Sequence, residues 1–392
     1  MAKLILTQIM KNEEHVILRM LDSIKTVVDG ICMVDTGSTD KSIEVLKKWG
    51  VDNNIETHVF EREFDNFENS RNHSIEMAKK TFLNRDKEQY YGFWIDCDEQ
   101  LKIGPAFDKN KLDKDLYMFT THIGKMKYTR NECYKLDGEF KFYGPVHEFI
   151  VPKDPKVKLT SGLMPGIDVI VKMDGGSWKE DTSSKYRTHA AMLEDYIDNK
   201  DRDPRWIFYT AQSYHDSASI KGNEPENHER LRRSMKYYQE RVSIPGGYHE
   251  ERFYAQYRIG SIFLRLNRPW EDTLTQLLKA YNMDPMRAEP FKIIIEYYQQ
   301  IGEWNLAFLY AKFAFTTYHG VDLYPSRVLF VDNTLYNWKF AELYANACYY
   351  CGKKSEAKKV HQSLVDINKN NPGFFTPEDT SRINKNSAFF LA

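Results

Sequence analysis

Strand-forming sequence stops at about residue 185. Upstream of that point short β-rich runs alternate with amphipathic helices, and downstream the chain reads as helix after helix, rich in Tyr, Ala, Leu and charged residues. A chain of 392 residues whose periodicity changes once is expected to build two separate cores, since single domains usually hold about 100 to 200 residues. The expected division is 1–178 and 179–392, with the boundary near Gly175-Gly176.

In the first part, Leu4 to Met10, Ile31 to Asp35, Thr57 to Phe60 and Tyr91 to Ile95 read as strands. Between them, Glu13 to Thr26, Lys41 to Trp49 and Asn69 to Lys80 read as helices; the first carries Val16, Ile17, Met20, Leu21 and Ile24 on one stripe. Ser38, Thr39 or Asp40 is the expected cap of the second. Strand and helix in alternation predict an α/β, Rossmann-like, mostly parallel sheet. Such sheets gather ligand chemistry at the carboxyl ends of their strands.

In the second part a repeat shows through. Leu266-Asn-Arg-Pro-Trp-Glu-Asp, Ile301-Gly-Glu-Trp-Asn-Leu-Ala307 and Cys351-Gly-Lys-Lys-Ser-Glu-Ala357 occupy equivalent turn-and-helix positions. Ala307, Ala311 and Ala314 fall where two helices must approach closely. The period resembles the tetratricopeptide helix-turn-helix array of roughly 34 residues. About four units are expected, the first spanning Arg205 to Val242 and broken by a polar loop at Ser219 to Asn227, with an insertion at Thr317 to Asp332 before the last.

Charge excludes one class of function. Lys plus Arg total 55 against 56 Asp plus Glu, which offers no bulk attraction to nucleic-acid backbones. The basic run Arg230-Leu-Arg-Arg233 is then a solvated helix face. No apolar run approaches the roughly 18 to 20 residues that span a bilayer, and the five scattered cysteines do not form a secreted disulfide framework. The expectation is a cytoplasmic protein, not integral to a membrane, with reduced thiols. Cys348 and Cys351 have redox-motif spacing but sit in a repeat helix, so they read as packing.

Chemistry concentrates after the fourth strand. Asp96 and Asp98, at i and i+2 beyond an apolar run, are expected to point to one side and could hold a cation through hard oxygen ligands that select Mg²⁺ or Mn²⁺. A bare Asp-x-Asp is more often a solvated turn. Its surroundings change that reading: Lys11-Asn-Glu-Glu14 follows the first strand, Asp35-Thr-Gly-Ser-Thr-Asp40 the second, Arg71-Asn72 lies in the third helix, and Trp94-Ile-Asp-Cys-Asp-Glu99 closes the set.

This ordered set resembles the inverting family 2 glycosyltransferases of GT-A fold, and within them the branch with tetratricopeptide-like repeats behind the catalytic domain. Phe64-Asp-Asn-Phe-Glu-Asn-Ser-Arg-Asn72 is especially similar to that branch. The resemblance covers about residues 3 to 176 and extends to the helical part only by architecture. It implies a nucleotide-sugar donor, most simply a UDP-sugar, and Mn²⁺ or Mg²⁺ as cofactor. It assigns Asp35 to the nucleotide base, with Thr36, Gly37 and Ser38 letting the backbone approach, and Asn12 and Glu13 to the same pocket. Arg71 would meet base or diphosphate unless it is a surface cation paired with Glu68 or Glu76; Asp96 would meet ribose or metal, and Asp98 the metal.

Inverting transfer also needs a base beside the acceptor. Phe142-Tyr-Gly-Pro-Val-His-Glu148 is similar to a Gly-x-Val-His-Glu segment of this branch, which makes Glu148 the candidate base. His147 is a second candidate, as base, metal ligand or acceptor contact, unless the two form a buried hydrogen-bonded pair. One departure stands out: where the branch carries His-x-Gly, this chain reads Val171-Lys-Met-Asp-Gly-Gly-Ser-Trp178, so Asp174 becomes the candidate third metal ligand. The acceptor could be a glycan, a protein or peptide side chain including a thiol, or a modified nucleobase, and copies could associate through the repeats. The rivals are a catalytically dead nucleotide-binding scaffold and a nucleotidyltransferase, which would release pyrophosphate.

Overall fold

A computed structural model describes residues 2–390 apart from 84, 86, 125, 177–181 and 219–223. It divides into two compact units, Met1–Arg202 and Asp203–Ala392.

The first unit runs β1 (Ala2–Met10), α1 (Ile17–Ile24), β2 (Gly30–Asp35), α2 (Ser42–Asp52), β3 (Glu56–Glu61), α3 (Phe67–Phe82), β4 (Gln89–Phe93) and β5 (Glu99–Ile103). It continues through β6 (Leu116–Ile123), β7 (Met126–Lys135), β8 (Phe140–Tyr143), β9 (Phe149–Pro152), β10 (Ser161–Val171) and α4 (Thr182–Asn199). Eight strands form one sheet in the order β3-β2-β1-β4-β7-β6-β10-β5, and β8 pairs with β9 in a small second sheet. β3, β2, β1 and β4 are mutually parallel, as are β6 and β10, while β7 and β5 run antiparallel to their neighbours. β1 and β2 are buried along both faces, as the continuous apolar runs require of central parallel strands. The α1 stripe of Ile17, Met20, Leu21 and Ile24 is fully covered and packs in one core with Leu4, Leu6, Ile31 and Met33.

Two boundaries differ from the sequence expectation for a stated reason. α1 begins at Ile17 rather than Glu13, because Glu13 to Val16 form a separate turn, closed by the Val16 N–H on the Glu13 carbonyl at 3.0 Å, and Val16 at φ −125° interrupts the helical run. α2 starts at Ser42, and Lys41, its capping residue, makes no side-chain cap; Asp40 instead accepts from the Ser42 N–H at 3.0 Å. The expected domain boundary at 178 lies outside the described residues. Compact packing places α4 in the first unit: Tyr196 donates to Glu68 of α3 at 3.1 Å, and Lys200 reaches the same carboxylate at 3.1 Å.

The second unit consists, among the described residues, of four helical hairpins and a final helix. These are α5 (Pro204–Ser217) with α6 (Glu224–Ser243), α7 (His249–Arg265) with α8 (Trp270–Met283), α9 (Glu289–Gln300) with α10 (Trp304–Tyr318), α11 (Phe340–Tyr350) with α12 (Lys354–Asn370), and α13 (Pro377–Phe390). Part of the expected loop, 219–223, lies outside the described residues, and α6 is already helical from Glu224. The three turns picked out by the repeat share one geometry. Asn267, Gly302 and Gly352 all take left-handed φ, at 51°, 77° and 74°. The following residues Arg268, Glu303 and Lys353 donate back to Phe263, Tyr298 and Cys348, the long bond of a Schellman cap. Ala307, Ala311 and Ala314 are completely buried. The insertion after α10 is fastened down: buried Glu250 accepts from the N–H groups of Val328 and Leu329, and buried Arg287 donates to the Leu329 carbonyl. All five cysteines are free.

Candidate active site

β1 lies between β2 and β4, so chain connections leave its carboxyl end in opposite directions. That is the topological switch point at which an open α/β sheet leaves a crevice. Three loops border it: 11–16 after β1, 36–41 after β2 and 94–98 after β4.

The β2 loop is built around Asp35. Its Oδ2 accepts from the N–H groups of Gly37 at 3.0 Å and Ser38 at 2.9 Å, a turn closed by Gly37 at φ 101°. Thr36 is tied to the Met10 carbonyl by its Oγ1 at 3.0 Å. Ser38 accepts from the Asn12 N–H, and the Asn12 side chain accepts from the Thr39 N–H at 2.8 Å, with Asn12 at φ 57°. Asn12, Asp35, Thr36, Gly37 and Ser38 are thus brought together. Asp35 is 3% exposed, and its Oδ1 has no hydrogen-bond partner. A buried carboxylate oxygen left without a donor is costly, and a ligand donor would satisfy it.

Arg71, on α3, is the hub of the opposite wall. It is 4% exposed, which excludes the surface pairing with Glu68 or Glu76. Its Nη2 donates to Asp96 Oδ1 at 2.7 Å, its Nη1 to Gln8 Oε1 at 2.6 Å and its Nε to Glu148 Oε1 at 2.5 Å. Gln8 also donates to Asp96. The planar fork suits several simultaneous bonds of this kind. Burial works to raise the Asp96 pKa, but Arg71 and Arg130 outweigh it and hold the carboxyl below its ordinary value. Burial raises Glu148 and prevails over the opposing pull of Arg71.

Behind this wall is a second, half-buried cation. Arg130 on β7 grips both oxygens of Glu99 at 2.8 Å and pairs with Glu132. Glu99 Oε2 in turn accepts from the Asp96 N–H at 2.9 Å. The guanidinium carbons of Arg71 and Arg130 lie 4.4 and 5.0 Å from the Trp94 ring centre. Burial pushes Glu132 up to about 8 despite Arg130.

Asp96 and Asp98 do not lie on an extended strand end. β4 stops at Phe93, and the Glu99 N–H donates to the Asp96 carbonyl at 2.9 Å, so the two aspartates share a turn. Asp96 keeps 40% of its side-chain exposure on the crevice side, while Asp98 is nearly buried. Burial first, and then the charge of Asp96, raise the Asp98 pKa. Glu13 donates its N–H to Ser42, accepts from the Gly176 N–H at 3.0 Å, and is pushed to about 6 by burial, with Asp98 adding to the shift. Asp174 is engaged elsewhere: Arg19 holds both of its carboxylate oxygens, and His15 contacts its carbonyl. Among the described residues no three His, Cys, Asp or Glu side chains are grouped closely enough to form a ready-made metal cluster. The donor set still suits a hard divalent cation, because the charge of Asp96 raises the cost of ionising its neighbour Asp98, which a cation between them would offset.

His147 is exposed at φ 56°, its ring 6.3 Å from His189 of α4. It does not share the buried pairing of its neighbour Glu148. Gln8, Arg130 and Glu132 carry no family motif in the sequence, and Trp94 and Glu99 stand only as the ends of the Trp94–Glu99 motif. The available signal was polarity in places that should be apolar: Gln8 inside the first strand, and Arg130 and Glu132 alternating in a strand that had to be half buried.

Residues 9–105 match the model of glycosyl transferase family 2. Glycosyltransferase SunS of Bacillus phage SPbeta and the prophage-derived SunS of Bacillus subtilis (strain 168) are each 23% identical over 218 residues, which is 53% of this chain and 48% of theirs. The chain therefore spans about half the length of the curated relatives it matches. Among solved structures, S. aureus TarS 1-349 in complex with UDP-GlcNAc overlaps 68% of this chain and 92% of its own at TM-score 0.34 and 11% identity. BtubC from P. vanneervenii overlaps 56% and 87% at TM-score 0.39 and 12% identity. Among the described residues no helix is long and apolar enough to cross a membrane. The segment that matches the glycosyl transferase family 2 model runs from β1 through the Asp96–Glu99 turn into the loop after β5, and helical hairpins follow it in the same chain.

Proposed function

We propose that this chain is an inverting glycosyltransferase that takes a sugar from a nucleoside-diphosphate donor, a UDP-sugar in the simplest case. The observation that carries the reading is the chain of contacts from Asp96 through Arg71 to Glu148 at the switch-point crevice. It joins a carboxylate facing the leaving-group side to one suited to the acceptor side. Asp35, with its unpartnered oxygen, receives N–H donors of the nucleotide base, while Asn12, Glu13 and Thr36 to Ser38 shape that pocket.

Asp96 and Asp98 would hold Mn²⁺ or Mg²⁺, which supplies charge neutralisation for the departing diphosphate. Asp174 could join them only by giving up Arg19. Glu148 takes the acceptor proton. Its raised pKa makes it a stronger base than an ordinary carboxylate, and the Arg71 charge opposes that rise. The acceptor oxygen or sulfur forms its bond to the anomeric carbon, the bond from that carbon to the diphosphate oxygen breaks, and the electron pair leaves with the nucleoside diphosphate. Arg71 holds the two carboxylates in register instead of spending its fork on the diphosphate. His147 faces the acceptor side.

Thermal-shift titration with nucleotide sugars and Mn²⁺ tests the reading, because a ligand that binds only the folded state raises its melting temperature. Asp98→Ala should lose the metal-dependent part of the shift and remain folded. Glu148→Gln should keep the shift and lose transfer. Normal turnover by Glu148→Gln would remove Glu148 as the base.

A further inference from the structure

Transfer by inversion places the acceptor on the face of the donor sugar opposite the diphosphate, which puts it on the Glu148 side of Arg71. Three elements meet there. α3 carries Phe67 four residues before Arg71, so the two share a helix face about one turn apart. The Phe67 N–H donates to the Pro145 carbonyl, which fixes the start of α3 against the loop leading to His147. α4 crosses the same place, held by Tyr196 on Glu68, and two turns earlier on its stripe stands His189.

The rings on these elements converge. His189 lies 6.2 Å from Phe67, 6.0 Å from Tyr186 and 6.3 Å from His147, each edge to face, and Phe64 extends the group 5.1 Å beyond Phe67. Phe64, Phe67, Tyr186 and His189 are half-buried and His147 is exposed, so the group is a surface and not a closed core. Exposed aromatic patches with polar groups set among them mark ligand sites. His189 Nδ1 is buried with no hydrogen-bond partner. Burial first, helped by Lys185, pushes the imidazole down to about 4, which leaves it neutral near pH 7.

We infer that Phe67, His147, Tyr186 and His189 form the acceptor subsite of this transferase, and that its occupant is the terminal ring of a saccharide. The inference rests on the glycosyltransferase reading and adds the acceptor class to it. A pyranose presents an apolar C–H face that covers aromatic rings and hydroxyls that can satisfy an imidazole nitrogen. Phe67 and Tyr186 carry no charge near pH 7, and Lys185 is the charged group whose field reaches His189.

Saturation-transfer NMR on the full chain with methyl glycosides of glucose, galactose and N-acetylglucosamine, beside a flexible Ser-, Thr- and Cys-containing peptide, tests this. UDP and Mn²⁺ are titrated in parallel. At least one methyl glycoside should receive saturation on its ring protons, and His189→Ala and Tyr186→Ala should each lower that signal at least fivefold. Tyr186→Phe, which keeps the ring, should retain it, and UDP-dependent thermal shifts and circular dichroism should match the unsubstituted chain in all three. Saturation of the peptide alone, or glycoside signals that survive both alanine changes, overturns the subsite while UDP binding leaves the donor reading standing. Absence of both UDP and glycoside binding overturns the two together.

Discussion

Replacing Arg71 with methionine isolates the contact network on which the site depends. Methionine approximates the length of the aliphatic stem but removes three donors, leaving Asp96, Glu148 and Gln8 without their shared partner. Arg71 and Glu148 have side chains only 5% and 9% exposed. Removing one member of a buried ion pair costs about 3–5 kcal/mol, because the surviving charge is left without compensation. In a unit of this size about 1 kcal/mol moves the melting temperature by about 2–4 °C, so Arg71→Met should melt roughly 6–20 °C lower near pH 8.

The loss should depend on pH, and the sign follows from the carboxylates. Glu148 already has a raised pKa in the folded chain, and without Arg71 it rises further. A carboxyl with a raised folded pKa keeps its proton after the unfolded chain has released it, so its penalty is absent in acid and grows as pH climbs past the ordinary carboxyl range. Asp96 acts in the same direction. Its lowered pKa gives stability that is present above the ordinary carboxyl value and lost as pH falls through the folded one, and the variant forfeits most of it. Melting curves by circular dichroism at pH 4.5 and pH 8 should therefore show the smaller deficit in acid. A shift below about 2 °C at pH 8, or equal deficits at both pH values, would refute the role given to Arg71.

Glu132 is fully buried with a pKa near 8, so the folded chain holds a proton there that the unfolded chain sheds at the ordinary carboxyl pKa. Stability then drains as pH rises between those two values, and Glu132→Gln should raise the melting temperature more at pH 8 than at pH 5; an equal change at both would contradict it. In the repeats, Gly302→Ala forces a β-carbon into a left-handed position at φ 77° and should cost about 1 kcal/mol. Asn267→Gly, at the equivalent turn, should be neutral or slightly stabilising, and denaturant titration of both variants compares them directly.

The sheet was legible because its central strands are continuous apolar runs and its first helix a single stripe, patterns that burial alone imposes. The helical half was legible through Gly302 and Gly352, since a Schellman turn needs left-handed backbone; Asn267 fitted the same place because asparagine tolerates it. The pairing of Arg71 with Glu148 was not legible, because 77 residues separate partners that only the fold brings together. Arg130 escaped for a similar reason: Lys127 to Lys135 looks like a polar edge strand, yet the sheet buries Glu132 and Cys133 and half-buries Arg130 between the strands' charges. The turn at Asp96 to Glu99 defeated the strand-parity argument, since alternation of side chains ends where extended backbone ends. Asp174 was read from proximity in sequence to a family pattern, and its bond to Arg19 could be seen only in three dimensions.

The central claim is that the crevice between the β1 and β4 ends cleaves a nucleotide sugar at the anomeric carbon. Phosphorus and proton NMR of the full chain with Mn²⁺ and an α-linked UDP-sugar, using water or a methyl glycoside as acceptor, observes that bond directly. The account predicts UDP as the phosphorus product and a newly formed β-linked or β-configured sugar before it mutarotates, both abolished by Asp98→Ala. Retention of the α configuration, or no donor cleavage together with pyrophosphate release from a nucleoside triphosphate and sugar phosphate, would contradict it.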